Sequence, residues 1–207
     1  MSALTTYLHQ GGFMMYPLIL CSIISIGIIM ERAYTFRKAS NIDPDELLEE
    51  IKQNYSKSDD GKAALTALEG IPSPFARMFT RGLKNATRAP EFIDMAMSQE
   101  AANEIPPLEN YLPGLKTIIT IAPLLGLLGT IAGMISSFKS VAEAGLSSPT
   151  AVMGGVSEAL VSTATGIGVA VIGVIFYNYF GNLVKRFVED FEFYGTELTN
   201  FLSGRVS

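Results

Sequence analysis

Three long stretches of this chain carry almost no charge, and that restricts its fold more than any other feature. The first runs from Phe13 to Met30 and is closed by Glu31 and Arg32. The second lies between Lys116 and Lys139, and the third extends from Val152 to Val184, interrupted only by Glu158. A helix needs roughly 20 mostly apolar residues to cross a bilayer. Lipid offers no hydrogen bonds, so such a segment must satisfy its own backbone, and each stretch reads as a transmembrane helix. Composition agrees, with 48% of the 207 residues hydrophobic and 17% charged, against about a quarter charged in soluble domains. The expected fold class is an all-α membrane protein with three transmembrane helices and helical extensions on the cytoplasmic side.

Several function classes drop out early. A net charge of -5 lacks the basic excess of a nucleic-acid binder. Cys21 is the single cysteine and His9 the single histidine, so neither an internal disulfide nor a metal cluster is expected. Cys21 itself reads as a small apolar helix residue. With no nucleotide, metal or hydrolase motif, the chain is expected to be no enzyme and to hold no cofactor and no metal.

Charge placement sets an expected orientation. Residues 1–12 contain no Lys or Arg, and no small-residue cleavage site follows the first apolar run, so this is not a signal-peptide pattern. Arg32, Arg37 and Lys38 come after the run, which places the N-terminus outside and residue 32 onward in the cytoplasm. Lys185 and Arg186 after the third run agree, whereas Lys139 near the outer side dissents mildly. The expected division is an outer N-terminus at 1–12, transmembrane helices at 13–36, 115–139 and 152–184, a cytoplasmic helical region at 37–114, an outer loop at 140–151 and a cytoplasmic helix at 185–207.

Within 37–114, DELLEEIKQNY (45–55) places Leu47, Leu48, Ile51 and Tyr55 on one face. PFARMFTRGLKNA (74–86) opens with Pro at a first helical position. A third piece, 90–105, is expected to stop at Pro106-Pro107. After the third span, Phe187, Phe191, Tyr194, Leu198 and Phe201 recur at heptad-like spacing, which suits an amphipathic helix continuing that span.

The second span carries Ala122, Gly126, Gly129, Gly133 and Ser136 as one stripe of small residues. Glycine costs about 1 kcal/mol against alanine inside a helix. In lipid, helices associate through close backbone approach, so such a stripe marks tight packing. The third span is similarly rich in small residues, Gly166 among them. Self-association into a ring, with both helices facing inward, is the expected outcome. Pro123 is expected to free a carbonyl and bend the second span. Thr130, near its middle, either bonds back to a carbonyl one turn earlier or lines a pore. Glu158 is either a solvated rim residue or a buried functional one, since a charge at mid-bilayer costs roughly 2.5–3.5 kcal/mol. Ser162 and Thr165 continue its line, whereas Thr163 points about 140° away at 100° per residue.

APLLGLLGTIAGM (122–134), followed by VSEALVSTATGIGVAV (156–171) and YN (177–178), resembles the MotA/TolQ/ExbB proton-channel family, nearest its ExbB/TolQ branch. The YPL…ER arrangement of the first span (16–32) resembles that branch as well. The resemblance implies a homopentamer in the bacterial inner membrane whose second and third helices line a pore, with the N-terminus periplasmic and the C-terminus cytoplasmic. It implies a dimer of a single-span ExbD/TolR-type partner in that pore, and coupling of the proton motive force to a TonB/TolA-like transducer or a related motor. It carries pore-facing roles to Thr130 and Thr163 and the third-span glutamate to Glu158. No Asp lies between Asp94 and Asp190, so a membrane aspartate would have to come from the partner. The alternatives are a stator-like subunit of a gliding or rotary motor and a structural scaffold without proton flux. A solute transporter would need paired repeats and broken helices, and neither is evident.

Overall fold

The computed structural model describes residues 11–56, 61–144 and 149–204. His9 and most of the 1–12 segment, Ser147 and Ser148 of the 140–151 loop, and residues 205–207 lie outside the described residues. Among the described residues every regular element is a helix, with no strand. In chain order the helices are α1 (Met15–Ala39), α2 (Pro44–Asn54), α3 (Lys62–Leu68), α4 (Pro74–Leu83), α5 (Pro90–Glu109), α6 (Leu112–Ala144) and α7 (Pro149–Ser203). Three of them are long and apolar enough to cross a membrane.

Contacts divide the chain into two compact units. One comprises the chain up to Glu31 together with Tyr111–Tyr179, and the other Arg32–Asn110 together with Phe180 onward. The apolar part of α1, all of α6 and the first half of α7 build the first unit. Met15 and Leu18 of α1 pack on Ala122 of α6, with Leu125 and Val169 alongside. Cys21 is buried on α1. Around this narrow core the outward faces are large and apolar, including Leu20, Ile23, Leu127, Ile131, Ile135, Val171 and Ile175. A water-soluble unit would not leave such a belt uncovered, whereas lipid leaves it no worse off.

The second unit is an aromatic and aliphatic core. Phe36 stacks on Phe180 at 5.5 Å and 8°, and Phe75 meets Phe187, Phe191 and Tyr194. Leu47, Leu48 and Ile51 of α2 and Met78, Phe79 and Leu83 of α4 are buried with Ile93, Met97 and Leu198. The apolar period of 45–55 and of 187–202 is thus used for one core. The Asp43 carboxylate caps α2 by accepting from the Asp45 N–H at 3.0 Å, and Pro44 sets its first turn. Short α3 carries no strong apolar period, and sequence reasoning passed over it.

Charged groups bind this unit at defined points. Glu104 accepts from both Nε and Nη2 of Arg77, which raises the Arg77 pKa above its ordinary value. Tyr194 is pushed up to about 12 by burial and by its hydrogen bond to Asp45. Burial also raises Asp190, as does the like charge of Glu189, while Arg186 opposes both.

The prolines at 106 and 107 do not end their helix. α5 runs through them to Glu109. Both lie in the last turn, so only the helical bonds to the carbonyls of Ala102 and Asn103 are lost. Arg32, 2% exposed, donates from Nη1 to the carbonyls of Pro107 at 2.9 Å and Leu108 at 3.1 Å. The break comes at Asn110-Tyr111 instead, where Tyr111 takes φ 62, a left-handed conformation that costs a non-glycine residue about 1–2 kcal/mol. Pro113 falls in the first turn of α6, where its missing N–H does no harm.

Candidate functional site

The polar residues of the spans come together where α6 and α7 touch. The two helices approach closely enough that their glycines could carry no side chain. A Cβ on Gly126 would stand 3.0 Å from the Thr163 Cα, and one on Gly133 would stand 2.7 Å from the Gly155 carbonyl oxygen. One on Gly166 would stand 2.5 Å from the Ala122 carbonyl oxygen. Ser162 fills the space a Gly129 side chain would take, and Ser137 does the same at Gly155. The stripe of Ala122, Gly126, Gly129 and Gly133, which sequence reasoning sent toward neighbouring copies, therefore faces α7 of the same chain. Small residues serve here as they do between any two membrane helices, by letting backbones meet.

Close approach has a chemical consequence. The Thr163 hydroxyl donates across the hairpin to the Gly126 carbonyl at 3.1 Å. In α-helical register that same carbonyl faces the N–H of Thr130. The Thr130 hydroxyl donates to the Leu127 carbonyl at 2.6 Å, one turn back on its own helix. Structure thus brings the Thr163 and Thr130 hydroxyls onto two consecutive α6 carbonyls. The sequence interval of 33 positions hides this, because only the antiparallel pairing of α6 with α7 puts them level.

Glu158 lies elsewhere on α7 and is half-buried. Its carboxylate comes against Gly12, at the turn before α1. Ser162, one turn on, is fully buried, and its hydroxyl has no hydrogen-bond partner among the described residues. Thr165 bonds back to the Val161 carbonyl at 2.8 Å. The polar line that helical spacing suggested therefore splits among three environments. Ser162, which sequence reasoning placed on the polar line of Glu158, belongs to the helix contact, and Ser137 is a residue of that contact that sequence reasoning missed.

A second small-residue face on α7 is left open. A Cβ on Gly154 or Gly168 would meet nothing within 4 Å, and Ala164 between them is exposed. At 100° per residue the three fall within an arc of about 80° on the helix. Among the described residues no group of three or more His, Cys, Asp or Glu is placed to hold a metal.

Residues 71–193 match the family profile of the MotA/TolQ/ExbB proton channel family. The chain is 34% identical to a Synechocystis sp. protein described as biopolymer transport protein ExbB-like 3, over 85% of this chain and 84% of the relative. It is 30% identical to the Tol-Pal system protein TolQ of Haemophilus influenzae, over 89% and 85% of the two chains. With the biopolymer transport protein ExbB of Xanthomonas campestris pv. campestris it shares 32% identity, over 60% of this chain and 49% of that one.

Proposed function

Because the chain belongs to the MotA/TolQ/ExbB proton channel family, we propose that it is the multi-pass subunit of an inner-membrane proton channel of the ExbB/TolQ kind. On this reading several copies, five by family resemblance, ring a pore formed by α6 and α7. A dimer of a single-span ExbD/TolR-type partner occupies the pore and supplies the aspartate that these spans lack. Proton entry is converted to motion and passed to a TonB/TolA-like transducer. Each elementary charge crossing 100 mV provides about 2.3 kcal/mol for that work. The N-terminus is periplasmic and the second unit cytoplasmic, as Arg32, Arg37, Lys38, Lys185 and Arg186 support by the positive-inside rule.

The observation that carries this reading is that the Thr163 and Thr130 hydroxyls bond to consecutive α6 carbonyls, those of Gly126 and Leu127. Hydroxyls can both donate and accept, so a pair of them in an apolar span supports a relay of protons or water that leucines could not. The open face of Gly154, Ala164 and Gly168 supports assembly, since a small-residue surface pointed at lipid gains nothing.

The test is proton flux in proteoliposomes holding this protein with its single-span partner. Thr130→Ala combined with Thr163→Ala should leave expression and assembly intact and abolish flux. Full flux in the double variant would overturn the assignment. Stable assembly with no flux even in the wild-type complex would favour the scaffold.

A further inference from the structure

The turn that leads into α1 bears directly on Glu158. Gly12 has φ +68, and a Cβ placed there would fall on the Glu158 carboxylate, 2.5 Å from Cδ and 2.9 Å from Cγ. The carboxylate therefore lies over the bare Cα of Gly12, in space any other residue would occupy. Neighbouring Gly11 approaches the same helix, since its Cβ would stand 3.3 Å from Val161 Cγ1. Val161 is three residues beyond Glu158 and so shares its side of α7. The Met14 Cβ reaches within 3.3 Å of the place where a Gly129 side chain would begin, and Ser162 occupies that place from the α7 side. The turn at 11–14 thus closes over Glu158, Val161 and Ser162, with Gly129 behind them.

We infer that Gly12 is a positioning residue for Glu158. Its missing side chain makes a seat at the entrance of α1 that holds the carboxylate within the protomer. The N–H groups of Met15, Tyr16 and Leu18 are taken by the carbonyls of Gly12, Phe13 and Met14, so the seat is steric, and the positive end of the α1 dipole favours a carboxylate beside it. A seated Glu158 is fixed relative to α6 and α7 through the same turn that touches Gly129. That the seated group serves proton transfer rests on the function proposed above; the seating itself does not.

A mutant cycle on the full-length protein in nanodiscs tests this, read by thermal midpoint. Gly12→Ala introduces two penalties, the positive φ and the clash with Glu158. Gly70→Ala isolates the first, because Gly70 has φ +81 and nothing within 4 Å of a Cβ. The expected fall is about 2–4 °C for Gly70→Ala and at least about twice that for Gly12→Ala. Glu158→Asp draws the carboxylate back by about one C–C bond, about 1.5 Å, so it should raise the midpoint in the Gly12→Ala background and lower it or leave it unchanged in the wild type. A Gly12→Ala loss no greater than that of Gly70→Ala, or an identical effect of Glu158→Asp in both backgrounds, overturns the seat. Flux with the single-span partner is the second readout. Gly12→Ala should reduce it about tenfold, and the added Glu158→Asp should restore part of it. Coupled midpoints with no wild-type flux would support the seat and sink the channel function; normal flux with uncoupled midpoints would do the reverse.

Discussion

The hydroxyl of Thr163 and the carbonyl of Gly126 are hydrogen-bonded at 3.1 Å, joining α7 to α6 near the middle of two membrane-spanning helices. The bond exists because Gly126 has no side chain to hold the Thr163 backbone away. Thr163→Val keeps the shape and removes the donor. It should cost about 0.6–1 kcal/mol of stability, since the carbonyl retains its own helical N–H. Thr163→Ser should retain both stability and flux, whereas Thr163→Val should lose flux far beyond its effect on folding. Thermal midpoints and proteoliposome flux, measured side by side, check this.

Gly166 and Gly168 are two residues apart and should respond oppositely to alanine. At Gly166 the new Cβ meets the Ala122 carbonyl oxygen and, at 3.1 Å, the Gly126 Cα. Backbone cannot swing aside, so the helices must separate, at a cost of about 1–3 kcal/mol. At Gly168 nothing lies within 4 Å, and alanine should be neutral or stabilise the protomer by up to about 1 kcal/mol. If that open face packs on another copy, Gly168→Ala should nevertheless weaken assembly. Native mass spectrometry and size-exclusion chromatography distinguish the two effects.

Arg32 closes the end of α5. Replacing it with Met keeps the apolar stem and leaves the Pro107 and Leu108 carbonyls without that donor. The expected loss is about 1–3 kcal/mol or more. Arg32→Lys should recover only part, since one ammonium lacks the planar fork of a guanidinium. Thermal unfolding of the three proteins measures the difference.

Asp190 gives a pH signature. Burial raises its folded-state pKa, so the folded protein holds this proton more tightly than the unfolded chain does. Its contribution to stability therefore falls as pH rises above the ordinary carboxylate value of 3.8 and levels off beyond the folded-state pKa. Asp190→Asn should raise the thermal midpoint at pH 7, and the gain should vanish below that ordinary value. A midpoint difference that is constant with pH would show that burial of the charge is not its cause.

Much of the fold was legible because lipid and helix geometry leave few choices. Charge-free runs ending at Glu31 and beginning after Lys116 had to be helices across a membrane. Phe187, Phe191 and Leu198, spaced for one face, had to meet a core. Pro106 and Pro107 misled, because the rule that proline ends helices takes no account of position, and in a last turn few bonds remain for the prolines to remove. The small-residue stripe was legible only in part. Its sequence demanded a close neighbour without saying which, and α7 of the same chain answers that demand.

By itself the sequence determined three membrane helices, a polar region bearing its own core, and two spans too rich in glycine to stand alone in lipid. Those follow from local rules, namely the length of a run, its period and the cost of charge. Tertiary structure alone decided that Thr163 bonds to the carbonyl next to the one Thr130 uses, that Ser162 fills the notch of Gly129 and that Glu158 rests on Gly12. Each of these depends on the register between two helices far apart in sequence. Register is fixed by which backbones can touch, a property of a pair of surfaces that no single segment contains.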